Sequence, residues 1–328
     1  RQNGISVAHD ISYNEIYVDS WSTNSFAIQP LSIEGIDAGT NIGNRIFATG
    51  YNPYGFGWAH ENLLVQDNLV HLFGINVHNR WPENWGDVNL LAGFRITNYS
   101  PGGQPRNNLV YRDNLILGFA KEGAQIEGTR FYSDVSIANV LFTNNVVKAE
   151  SLDMETLDVA AIVTQGYFRK LDSLPIFYTD SKLISNRTIV QFGSAYGRGN
   201  NHHFERIEFI RTGDREDFAT FRFDGTYWSV GHVVLDGIYG PGTAWNDVYW
   251  EETGTPSMYT VKWTLDLQVP AGAEVTILDA NGNVEFSGIA DSTGRLAIPL
   301  THADIRPTEW YPGHTGDGPR VREMDKHQ

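Results

Sequence analysis

Cysteine is absent from this 328-residue chain. Disulfide staples and thiolate metal sites are therefore excluded. The absence does not argue for the cytosol, because an extracellular protein with a long continuous core needs no disulfides. Basic residues are scarce too: 24 Lys and Arg stand against 39 Asp and Glu, a net charge of −15. That sign argues against a nucleic-acid backbone or an anionic membrane as the main partner. It suits bound cations, and calcium in particular prefers carboxylate and carbonyl oxygens. No apolar run is long enough to cross a bilayer, so no membrane insertion is expected. Helical periodicity is nearly missing, with exceptions expected only near Ser151–Leu157 and in a turn near Ala303–Arg306. A Gly-rich phosphate loop, a GxSxG elbow and an HExxH pair are all lacking, which removes support for nucleotide, serine-hydrolase and zincin chemistry.

What is present is a repeated phrase. LLVQDNLVHL from Leu63, LVYRDNLILG from Leu109 and VLFTNNVVKA from Val140 share one form: apolar alternation, a polar pair ending in Asn, and alternation again. Asn68, Asn114 and Asn145 hold the same place, and a rougher copy, ISYNEIYV, surrounds Asn14. Alternation reads as strand. An Asn between strands reads as a turn with a left-handed backbone, which Asn tolerates. Stacked copies of the same Asn also form hydrogen-bonded ladders. Self-similarity of this kind marks a solenoid. The intervals between the marked Asn residues are uneven, whereas a coil needs roughly 20 to 30 residues. The wider intervals are expected to hold two coils, or one coil with a long loop. His78–Asn89, Asn98–Asn108 and Ala195–Glu205 read as such loops, and in solenoids these map to one face, often the binding face.

Near Thr253 the texture changes. Val261–Val269, AEVTILDA, NVEFSGIA and RLAIPL alternate cleanly, with an Asn-Gly hairpin turn at Ala280–Asn283 and a second turn at Asp291–Arg295. The reading is a coil over residues 1–252 and a small antiparallel sheet over 253–328, set apart from the coil. Both ends read as cut from a larger secreted or cell-surface protein.

The strand-Asn-strand phrases resemble the right-handed parallel β-helix superfamily that includes pectate lyases and polygalacturonases, over about residues 1–250. The tail from Val275 resembles a carboxypeptidase-regulatory-like or Ig-like β-sandwich module. The first resemblance implies an all-β solenoid and a secreted carbohydrate-active protein working on an extended polysaccharide as lyase or glycosidase. The catalytic signatures of those enzymes do not carry over. Gly231-His232 is followed by Val233, Arg206-Ile207 by Glu208, and Arg80-Trp81-Pro82-Glu83-Asn84 by Trp85.

Several constellations remain. Glu127 and Arg130 lie in the densest charged stretch of the coil. They suit either a surface ion pair or the carboxylate and cation of a catalytic strip. His202 and His203 are vicinal, so on a strand they face opposite ways and only one can serve as an exposed base. Arg80 with Trp81 and Trp85 combines a cation with ring surface, as a sugar platform does. Asp214, Glu216 and Asp217 form an acidic turn that would hold calcium if carbonyls joined. The rival to an enzyme is a non-enzymatic surface, adhesive or filament-forming protein that assembles through open β edges.

Overall fold

The structure, a computed structural model, describes residues 8–20, 31–32, 38–50, 53–57, 62–74, 90–97, 106–121, 125–133, 137–153, 159–166, 175–193, 200–214, 218–224, 229–250, 257–307 and 319–323. Among them every regular element is a strand. As far as Val248–Trp250, successive strands visit three sheets in rotation, and strands three elements apart pair in parallel. The first coil places Ala8–Ser12 in the first sheet, Glu15–Ser20 in the second and Leu31–Ser32 in the third. The first sheet reaches eleven strands, and the other two have eight each. This is an all-β stack of long parallel sheets, compatible with a parallel β-helix, with a small antiparallel sheet at its C-terminal end.

The repeated Asn is the corner between first and second sheets. Asn14 donates its backbone N–H and its side-chain amide to Oδ1 of Asn44, at 3.1 and 2.9 Å. Asn44 does the same to Asn68, Asn68 to Asn114, and Asn114 to Asn145. The Asn145 N–H passes to Ser181 Oγ at 3.0 Å, and Ser181 closes the run on Thr179 O. The second amide proton of the inner Asn residues reaches backbone oxygens such as Ile11 O, Asn41 O, Val65 O and Tyr111 O. The amides of the ladder are thus satisfied, as a closed interior demands, whereas Oδ1 of the neighbouring buried Asn41 has no partner among the described residues. The left-handed residue is not the Asn but the one before it. Tyr13, Gly43, Asp67, Asp113, Asn144, Asp180, Arg206 and Asp236 all have φ between 50° and 67°. The corner thus divides its work: one residue turns the chain outside, and the next hangs its amide inside.

The uneven intervals resolve accordingly. Asn44, missed in the sequence, sits 30 residues after Asn14 and 24 before Asn68, so the widest gap holds two coils. The 46-residue step from Asn68 to Asn114 is one coil.

Inside, Tyr111, Phe142, Tyr178 and Phe204 of the first sheet stand in one register row. Tyr178 and Phe204 stack at 4.4 Å and 7°. Ile116, Val147 and Leu183 of the second sheet, and Ile126, Ile162 and Val190 of the third, complete a single core.

The C-terminal sheet is not set apart. Ser257–Gln268 pairs in parallel with Ser229–Leu235 of the coil and antiparallel with Arg295–Pro307. Tyr259, Val261, Ala303 and Ile305 belong to the coil's core, while Leu265, Leu267, Ile298 and Leu300 pack a second, smaller core with Ile277 and Phe286. The expected turn near Ala303–Arg306 is instead the end of a thirteen-residue strand, because Ala303 and Ile305 alternate into the coil. The Asn-Gly hairpin is present: Gly282 has φ 84° and joins Glu274–Leu278 to Val284–Ile289.

Candidate functional site

An extended ligand needs an outward sheet face that water can reach. The third sheet does not offer one in its middle. Val159 to Thr164 are all buried, as is every residue of Thr188–Phe192, without the alternation of a half-exposed strand. The second sheet mixes aromatic and charged residues on its outer face: Tyr17 and Phe47 stack at 5.1 Å and 8° beside the Arg45–Glu15 and Lys182–Glu208 ion pairs.

The first sheet is organised differently. Register places Leu64, Val110, Leu141, Phe177, His203 and Val233 in one outward row. Leu141 and Phe177 are 37% and 38% exposed. Beside this apolar rail runs a polar row: Gln66, Arg112, Thr143, Thr179 and Glu205. Arg112 donates twice to Gln66 Oε1, at 2.9 and 2.6 Å, and Thr179 donates to Thr143 Oγ1 at 2.8 Å. At the corner Arg206 holds Asp180 through both carboxylate oxygens, at 2.6 and 2.9 Å, and also reaches Glu205. This fork keeps Asp180 below the ordinary carboxylate range.

Of the histidine pair, His202 points into the core and His203 outward. His203 meets the Phe177 ring at 5.1 Å and 68°. Partial burial, with the charge of Lys262 nearby, lowers its affinity for a proton. It is therefore a neutral base beside a cation. His202 is 3% exposed and accepts or donates at 3.0 Å with Tyr178 Oη. His202 is therefore closed to any ligand on the outer face, and of this pair only His203 faces it.

The remaining expected residues are placed as follows. Glu127 and Arg130 both lie on Gln125–Ser133 of the third sheet. The register neighbours of Glu127 are Ala92 and Ala160, and those of Arg130 are Arg95 and Val163. Their side chains lie outside the described residues, as do Arg80, Trp81, Trp85, Glu216 and Asp217. Asp214 is exposed. Among the described residues no group of three or more His, Asp or Glu could hold a metal ion. The shifted carboxylates Asp10, Asp180, Asp266, Asp279 and Asp291 all move down, opposite to what a glycosidase acid requires.

Phe177, Leu141, Arg206 and Lys262 were not foreseen. Leu141 and Phe177 share the row of His203, Lys262 lies in the row of Glu205, and Arg206 is the corner residue after it; only pairing across the intervening loops reveals this. Compared with known proteins, the chain matches no family model, no curated protein and no solved structure.

Proposed function

We propose that this chain is a secreted or cell-surface, carbohydrate-active protein with a right-handed parallel β-helix of pectate-lyase-like type and a β-sandwich-like C-terminal module. It lays an extended polysaccharide along the outer face of the first sheet. The observation that carries the reading is the rail of Leu141, Phe177 and His203 with its amide, hydroxyl and guanidinium border. Parallel stacking repeats such side chains at about 4.8 Å, close to the scale of a sugar unit. Apolar faces of the sugars meet the rail, and hydroxyls meet the border. If the bound polymer is cleaved, neutral His203 beside Lys262 fits proton abstraction better than the paired carboxylates of a hydrolase fit. Calcium, if used, would bind with the acidic turn at Asp214, Glu216 and Asp217.

Incubation with a panel of acidic and neutral polysaccharides, with and without calcium, tests this by mass spectrometry and affinity electrophoresis. Retardation by at least one polymer is expected, and Phe177→Ala should weaken it about tenfold. Products lacking one water would mark a lyase. Absence of binding and cleavage across the panel overturns the reading.

One observation favours a second reading, a self-assembling structural protein. The Asn ladder that runs from Asn14 to Asn145 repeats one hydrogen-bond unit along the stack, as a self-assembling solenoid would. Sedimentation velocity over a hundredfold range of concentration would show filaments if copies assemble.

A further inference from the structure

Among the described residues the first sheet has a seam around Ser229–His232 where backbone pairing is irregular. Strand Ser229–Leu235 slips register between Ser229 and His232, where Gly231 takes φ +76°. Regular pairing with His202–Glu205 begins only at His203 and Val233. Side chains fill the break. Val230 N–H donates to Asn200 Oδ1 at 2.9 Å, and His202 N–H donates to Nδ1 of His232 at 3.3 Å. A backbone N–H can only donate, so Nδ1 of His232 bears no proton. The ring is then the Nε2–H tautomer, which donates to Ser229 Oγ at 2.8 Å. Both imidazoles are buried, at 3% and 1% exposure, and they stack at 5.5 Å.

We propose that the His202–His232 seam is an acid-opened device that loosens the sheet beneath His203. A proton on His232 Nδ1 would set one N–H against another and break the bridge. Two imidazoles in contact, in a closed interior, have no room for charge. The titratable groups facing the pair from the packed elements are Tyr178 on the preceding strand and Tyr259 on the following one. The third sheet presents Phe192, 4.1 Å from the His232 ring, and Phe223, while Arg222 turns instead to Asp224. Burial, with His203 beside it, holds His202 down to about 3, so in the closed seam this ring stays neutral. Opening frees the rings to protonate at the ordinary value of about 6.5. The seam's stability is therefore full above that value and is lost as pH falls below it.

Hydrogen exchange read by mass spectrometry, corrected for intrinsic rates, tests this at pH 7.5 and 5.0. Each imidazole freed should favour opening by roughly thirtyfold over that interval. Loss of protection is expected in peptides covering His202–Glu205 and Ser229–Leu235, and not in the histidine-free stretch Arg106–Ala120. In His232→Gln, whose amide can accept from His202 and donate to Ser229, the pH effect should shrink about thirtyfold. Equal pH dependence in the seam and in Arg106–Ala120, or an undiminished effect in a folded His232→Gln, overturns the proposal. The within-protein comparison decides alone if that variant does not fold.

Discussion

At the scale of the residue, the Asn ladder dominates. Each inner Asn accepts two N–H donors and satisfies further backbone groups, all out of reach of water. Asn114→Ala removes one rung: it takes the Oδ1 acceptor from the Asn68 N–H and the side-chain donor from Val65 O, while the Asn68 amide keeps Asn41 O and Gln66 O. Orphaned buried groups cost about 1–3 kcal/mol each, partly relieved by relaxation. A loss of about 3–5 kcal/mol is expected in urea unfolding, with m unchanged. The rung was legible in the sequence because identical residues must stack at identical places. Its left-handed partner was not, since Asp67, Asp113 and Asp180 read equally well as ordinary turn acids. Asn44 was missed because TNIGNRIF carries little of the apolar pattern before its Asn.

At the scale of the element, the third sheet depends on absent side chains. Gly55, Gly93 and Gly128 occupy equivalent sites on Tyr54–Gly57, Leu90–Thr97 and Gln125–Ser133. A Cβ on Gly128 would overlap the Val147 side chain and the Ala161 carbonyl, and Gly93 faces the same situation with Ile116 and the Gly128 carbonyl. The backbone of one sheet thus runs hard against the side chains of the next. Gly128→Ala is expected to cost about 3 kcal/mol by overpacking, measured as a lowered urea midpoint. Ala161 shows that the row tolerates a methyl one coil later, where the neighbours differ. These glycines sit within strands that otherwise read as plain alternation. Their role follows from the distance between sheets, which no local pattern records. The strip on the first sheet has the same origin, and of its members only His203 stood out beforehand, for its chemistry rather than its place.

At the scale of the whole molecule, the coil and the C-terminal sheet share strands. Ser257–Gln268 and Arg295–Pro307 contribute Tyr259, Val261, Ala303 and Ile305 to the coil's core before running on into the smaller one. Trp245 and Trp263 meet His302 at that end and Tyr239 meets Trp263, with His302 set at the position where the strand pairing skips a residue. Trp245 meets the imidazole at 4.9 Å and 77°. The aromatic group closes the coil where the second sheet ends at Ile238–Tyr239. Deleting residues 257–328 strips the core of these side chains. The truncated chain is expected to aggregate and to lose its far-ultraviolet strand signal, checked by gel filtration and circular dichroism. A folded, monomeric product would show instead that the coil is independent. In the intact chain, tryptophan fluorescence and circular dichroism should trace one coincident thermal transition, as for a single cooperative unit.

The sequence by itself determined that the chain coils. Apolar alternation broken by the same amide at each corner leaves stacking as the way to bury both the apolar row and the Asn side chains. It also determined the hairpin turns of the tail, because Asn-Gly and Asp-x-x-Gly set backbone geometry locally. Only the tertiary structure decided which residues become neighbours across coils separated by 24 to 46 residues. Loop length and packing against the next sheet set that register, and it alone aligned Leu141 with Phe177 and His203. It also decided that the tail continues the first sheet, since a strand can pair with a coil on one edge and a hairpin partner on the other, and nothing within the strand itself records which partners it finds.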